Sequence, residues 1–175
     1  MSTENNFDAV IIGAGFAGMY ALHKIRGLGF TVKAYERASD VGGTWFWNRY
    51  PGARCDVNSL EYSYQFSDEL QQEWSWSERY SSQPEILSYA KHVSERFDLR
   101  KDIQFETKVT QLEYDENLDV WHGQTDRGEE FTSRIMIMAT GCLSKSNTPQ
   151  FEGLNQFEGQ LLHTAQWLSL IHISE

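Results

Sequence analysis

The stretch Gly13-Ala14-Gly15-Phe16-Ala17-Gly18 constrains this chain more than any other, because of what flanks it. Before it, Phe7 to Ile12 is a short Val- and Ile-rich run bounded by polar residues, which suits a buried parallel strand. After it, Ala17, Tyr20, Ala21, Ile25 and Leu28 recur at helical spacing, and Gly29 supplies a stop. Thr31 to Glu36 then reads as a second strand. Strand, glycine turn, helix and strand within about 30 residues make a βαβ unit, and its crossover is expected to be right-handed. In that setting the glycines have distinct uses. Gly13 permits the tight turn, Gly15 lets the backbone approach a pyrophosphate, and Gly18 lets the helix pack on the strand. Unpaired N–H groups at the helix start favour an anion. The pattern therefore points to a dinucleotide.

Glu36 closes the second strand about 20 residues beyond the glycines, where a carboxylate accepts hydrogen bonds from both ribose hydroxyls. A 2′-phosphate there would be repelled, so the adenosine expected is that of FAD or NAD and not NADP. The net charge of −10 argues against a nucleic-acid partner, which needs clustered Lys and Arg. The two cysteines, Cys55 and Cys142, form neither a CxxC pair nor a metal cluster, and they read as free thiols in a reducing compartment. Neither a secretory leader nor an apolar run of membrane-spanning length is apparent, and a cytoplasmic location away from membranes is expected. No metal site is expected.

Residues 39–83 have no clear period and are crowded with Gly, Asn, Trp, Tyr and Arg, the mark of an ordered functional loop. Pro84 fits the first turn of a helix with Ile86, Ala90, Val93 and Phe97 inward, Leu87 beside them, and Lys91, Glu95 and Arg96 in solvent. Phe105 to Tyr114 reads as one strand with a bulge near Thr110, and Trp121, Gly123 and Thr125 suggest its return. Arg134 to Thr140 reads as a buried strand ending at Ala139-Thr140-Gly141. Trp74 and Trp76 are expected to be packing residues, and nothing is assigned to His23, His92 or His122.

Val41 to Asp56, VGGTWFWNRYPGARCD, separates FAD from NAD. Gly42 and Gly43 permit a second close backbone approach, and Thr44, Trp45 and Trp47 supply a hydroxyl and flat rings for a large ring system. Here the sequence resembles the class B flavin monooxygenases, and within them the Baeyer–Villiger monooxygenases that convert ketones to esters or lactones. The resemblance runs from about Phe7 to Trp167. It includes the strand-end ATG and the pattern FxGxxxHTxxW through Phe157, Gly159, His163, Thr164 and Trp167. The sister group that oxygenates amines and sulfides typically carries Phe or Tyr in place of that Trp.

The resemblance implies an α/β, Rossmann-like FAD-binding domain of the two-dinucleotide-binding-domain flavoprotein type, incomplete, with a small antiparallel β insertion. Residues 1–141 would be its N-terminal part, with 44–83 as the aromatic-rich insert, and residues 142–167 a linker toward an absent NADPH domain. FAD would be held by Gly13, Gly15, Ala17, Gly18, Glu36, Gly43, Thr44, Trp45, Phe46 and Trp47, with Asp56 and Tyr62 near the isoalloxazine and Val109 near the adenine. Arg54, Cys55 and Asp56 would face the nicotinamide of NADPH. Asp56 would help position an active-site arginine supplied from outside this chain, an electrostatic role. His163 would couple domain motion to catalysis. NADPH, O2 and a ketone are the implied reactants, through a peroxide on flavin C4a. An amine- or sulfide-oxygenating sister enzyme and a non-catalytic FAD-binding module are the alternatives.

The last eight residues, LSLIHISE from Leu168 to Glu175, match the translation of a transposase adapter used in sequencing libraries. The natural sequence is therefore expected to break off at Trp167, leaving an N-terminal fragment without turnover of its own.

Overall fold

The computed structural model describes residues 5–166. Trp167 and the tail from Leu168 to Glu175 lie outside the described residues. The regular elements are β1 (Asn5–Ile12), α1 (Phe16–Gly27), β2 (Val32–Tyr35), α2 (Thr44–Trp47), α3 (Asp68–Glu73), α4 (Gln83–Arg96), β3 (Ile103–Gln104), β4 (Val109–Asp115), β5 (Val120–Thr125) and β6 (Glu130–Met138). They build one six-stranded sheet in the order β3-β2-β1-β6-β5-β4. The first four of these strands run parallel, and β5 and β4 extend the sheet as an antiparallel ribbon. This is the α/β class with an antiparallel insertion that the sequence predicts.

β1 lies at the centre, with Ala9 opposite Val32 on one side and Ile135 on the other. Both faces of β1 are covered, so Ala9, Val10 and Ile11 are all buried, as an uninterrupted apolar run requires. On one face Ala9, Ile11 and Ala34 meet Met19 and Leu22 of α1 and Ala90 of α4. Burial of a side chain the size of Leu22 contributes about 1.5–3 kcal/mol. On the other face Val10 and Tyr35 meet Phe131, with Phe7, Val109, Leu112 and Met136 around them. Phe131 pairs with Gly123, and a Cβ on Gly123 would lie 2.1 Å from its ring. The ring thus occupies the space a side chain on β5 would fill and stacks on Tyr35 at 4.9 Å.

Four expectations need correction. The buried face of α1 is Gly18, Met19 and Leu22, while Tyr20 and Leu28 are exposed. Gly18 packs directly on the glycine turn, and that contact sets the helix rotation. Phe105 does not begin a long strand: the chain pairs with β2 at β3, crosses over through Glu106 at φ 52°, and enters β4 at Val109, with the register shift between Val109 and Gln111. β6 is only partly covered, with Ile135 and Met138 exposed, because α1 lies over β1 and β2. Lys91 and Arg96 are not merely solvated: they pair with Asp40 at 2.9 Å and Glu73 at 3.0 Å.

The 44–83 segment is ordered and contains α2, α3 and a 3₁₀ turn at Ser59–Tyr62. Its rings pack on α4, with Trp74 5.2 Å and Trp76 5.1 Å from Tyr89, in the packing role expected of them. No helix among the described residues is long and apolar enough to cross a membrane.

Candidate functional site

The C-terminal ends of β1, β2 and β6 converge on the glycine turn. Gly13 has φ 106°, its N–H donates to the Tyr35 carbonyl at 2.8 Å, and a Cβ there would lie 2.5 Å from the Ala139 carbonyl oxygen. A Cβ on Gly18 would lie 1.9 Å from the Gly13 carbonyl oxygen. The chain leaves β1 toward β2 and β3 on one side, and β6, reached last through β4 and β5, closes on the other side, so the strand order switches sides at β1. A crevice of that kind, outside the strand ends, is where open α/β sheets bind ligands.

The second glycine pair closes on the first. Gly42 has φ 121° and donates to the Ala14 carbonyl at 3.1 Å. A Cβ on Gly43 would lie 2.9 Å from Gly15 Cα, and one on Gly15 would lie 3.4 Å from Gly43 Cα. Two bare backbones therefore meet at the start of α1. That helix has Gly15 as its N-cap, no capping side chain and no acidic residue in its first turn, so its positive end is left for an anion. Ala17, in that first turn, is exposed.

Glu36 is buried beneath the turn, at 6% exposure. Its Oε2 accepts the Ala14 N–H at 2.6 Å and its Oε1 accepts the Ala38 N–H at 2.7 Å. Each carboxylate oxygen has a further lone pair, so the group can brace the turn and still accept from a sugar hydroxyl. Asp40 fixes the approach to Gly42. Burial alone would raise its carboxyl, but hydrogen bonds from Arg100 at 2.6 Å and Lys91 at 2.9 Å hold it below the ordinary value.

Beyond Gly43, Trp45 is buried with Cys55 and Ile86, while Thr44 is exposed. Phe46 and Trp47 are half-buried, with Arg49 over the Phe46 ring at 4.4 Å and Arg37 over the Trp47 ring at 4.7 Å. Tyr62 sits edge-on to Trp45 at 5.5 Å and to Phe16 at 5.6 Å, and burial pushes its phenol up. Arg54 bonds Glu78 at 2.6 Å and the Tyr80 carbonyl at 2.7 Å. Cys55 donates its N–H to the Ser81 carbonyl at 3.0 Å, and Asp56 beside it is exposed.

The structure thus packs Gly18 on Gly13 and Gly43 on Gly15, sets Glu36 against Ala14 between them, and gathers Trp45, Cys55 and Tyr62 beside Phe16. Val109 packs in the other core, against Val10, Tyr35 and Phe131. In the linker, the His163 Nδ1 accepts the Ala165 N–H at 3.1 Å, which leaves Nε2 to donate to the Asn147 carbonyl at 3.2 Å.

Three residues that shape the site were not singled out in the sequence: Asp40, Tyr64 and Tyr89. Tyr89 follows Ile86 at helical spacing and was legible there, but the partners of the other two are remote in sequence. Among the described residues no group of His, Cys, Asp and Glu is placed to hold a metal ion. A broad, open concavity lies on the β4–β6 ribbon and reaches Asn5 and Asn6, at the opposite end of β1 from the glycine turn.

Residues 7–172 match the family model described as pyridine nucleotide-disulphide oxidoreductase. A Baeyer-Villiger monooxygenase of Pseudooceanicola batsensis is 46% identical over 99% of this chain and 33% of its own length. The phenazine N-monooxygenase PhzNO1 of Lysobacter antibioticus is 47% identical over 94% of this chain and 30% of its own. A solved structure of an oxidized steroid monooxygenase bound to NADP superposes with a TM-score of 0.86 at 56% identity, covering 93% of this chain and 31% of that one. The chain spans about a third of the length of the curated relatives it matches. With the glycine turn, the Glu36 carboxylate and a family match over nearly all of its residues, the chain belongs to the pyridine nucleotide-disulphide oxidoreductases.

Proposed function

We propose that this chain is the N-terminal, FAD-binding part of an FAD- and NADPH-dependent monooxygenase of the Baeyer–Villiger type. The observation that carries the reading is the backbone contact of Gly15 with Gly43 over the uncapped start of α1, with the Glu36 carboxylate directly beneath. A pyrophosphate needs bare amides at close range, and a ribose needs an acceptor beside them. Gly13, Gly15, Ala17, Gly18 and Gly43 would hold the pyrophosphate and Glu36 the ribose. Thr44, Trp45, Phe46, Trp47, Asp56 and Tyr62 would line the rest of the FAD, with Val109 toward the adenine.

Bound there, the flavin would supply the redox chemistry: two electrons from NADPH, one oxygen atom of O2 to a ketone, and the other released as water. Arg54, Cys55 and Asp56 would border the nicotinamide, and Asp56 would orient a cation from the remainder of the protein. Residues 1–141 would form this part of the FAD domain and 142–167 the linker to an NADPH domain, with His163 bracing the linker through Asn147. The protein would work in a reducing cytoplasm, where the free thiols Cys55 and exposed Cys142 persist.

A second reading, oxygenation of an amine nitrogen or sulfide sulfur, has one observation behind it, the similarity to the phenazine N-monooxygenase. The test is ketone-dependent NADPH oxidation by the full-length protein, with cyclohexanone, phenazine and a thioether compared and the products identified. Ester or lactone formation supports the first reading, N- or S-oxide alone the second. Bound flavin without any turnover leaves a non-catalytic FAD module.

A further inference from the structure

The first turn of α1 presents its amides from a helix that nothing caps, so something outside the helix must set its direction. Among the described residues, the side chain bonded to that turn is Tyr64, whose hydroxyl donates to the Phe16 carbonyl at 2.5 Å. Tyr64 is itself held from α4, because its backbone N–H donates to the Tyr89 hydroxyl at 2.8 Å. The rings reinforce this chain of contacts: Phe16 lies 5.5 Å from Tyr64 and 6.2 Å from Tyr89, and Tyr64 lies 6.1 Å from Tyr89. Burial drives the Tyr64 phenol far above its ordinary range, so it stays a neutral donor at any working pH.

We propose that Tyr64 is a positioning residue for the dinucleotide pyrophosphate: through its hydrogen bond to Phe16 it ties the start of α1 to α4 and the aromatic insert, and so aims the amides that follow Gly15. The inference rests on the reading of the site as an FAD site. Its physical basis is preorganisation. A first turn free to tilt has to be ordered when the anion arrives, and apparent affinity falls with the fraction of molecules already in the competent orientation.

The experiment is titration of the full-length apoprotein with FAD, followed by flavin fluorescence, in wild type, Tyr64→Phe, Tyr89→Phe and Leu70→Val. Tyr64→Phe keeps the ring and removes the bond, and the Kd for FAD is expected to rise about three- to tenfold. Tyr89→Phe, which removes the support one step back, should shift it less and in the same direction. Leu70 is fully buried in the same aromatic cluster but makes no bond to α1, so Leu70→Val should lower the unfolding midpoint and leave Kd unchanged. FAD binding by Tyr64→Phe equal to wild type overturns the proposal, as does an equal loss in Leu70→Val. Failure of the wild-type protein to take up FAD would instead bring down the underlying reading, and the proposal with it.

Discussion

Replacing Glu36 by Gln tests whether the carboxylate braces the glycine turn before any ligand arrives. Its two oxygens each accept a backbone N–H, from Ala14 at 2.6 Å and Ala38 at 2.7 Å, in a site with 6% exposure. An amide has one acceptor oxygen and one NH2 group, so one of the two backbone donors must face another donor. A buried donor left unpaired costs about 1–3 kcal/mol, and the surviving bond loses its charge assistance, about 1 kcal/mol more. Relief from burying a charge offsets part of this, leaving a net destabilisation of about 1–3 kcal/mol. With a urea dependence of about 2 kcal/mol per molar, the unfolding midpoint should fall by roughly 1 M in the absence of flavin. The assay is equilibrium urea unfolding of apoprotein, followed by tryptophan fluorescence. A Glu36→Gln midpoint equal to that of the wild type, with weaker FAD binding alone, would refute the bracing role and leave only a sugar contact.

Gly18→Ala places a Cβ 1.9 Å from a backbone oxygen that cannot withdraw, and a loss of about 3 kcal/mol or more is expected. Gly27→Ala, at a helical position with nothing within 4 Å, should instead be neutral or stabilise by up to about 1 kcal/mol, and thermal melts of the pair check both signs. The Asp40 carboxyl is held below its ordinary 3.8, so the stability it contributes is present above that value and lost as pH falls through the depressed folded value. Acid unfolding curves should therefore be steeper below pH ~4 for wild type than for Asp40→Asn, and Asp40→Asn should be less stable at pH 7 by about 1 kcal/mol.

The local pieces of the candidate site were legible in the sequence. β1, the glycine turn, α1 and β2 follow from short-range signals: an apolar run, three glycines at fixed spacing and a change of period. Gly42 and Gly43 were legible as a second close approach because few residue types permit φ values of 121° and 55°. The aromatic order of residues 44–83 was legible in outline, since so many rings do not suit a disordered segment. The rotation of α1 was not, because its pattern of Ala17, Tyr20 and Ala21 fits more than one face and the Gly18–Gly13 contact decides between them. Nor was the break between β3 and β4, where alternation continues through Phe105 although the chain changes sheet neighbours.

What the sequence determined by itself is the chemistry available at each position: bare backbone at Gly13, Gly15, Gly18 and Gly43, a carboxylate at Glu36, flat rings after Gly43. What only the tertiary structure decided is which of these meet. Gly15 touches Gly43, Glu36 reaches Ala14 and Ala38, Asp40 joins Arg100, and Tyr64 spans Phe16 and Tyr89. Local conformational preference acts over a few bonds and is written in neighbouring residues. Most of these contacts join residues 22 to 60 positions apart, and they exist because burial of one shared core brings the segments together.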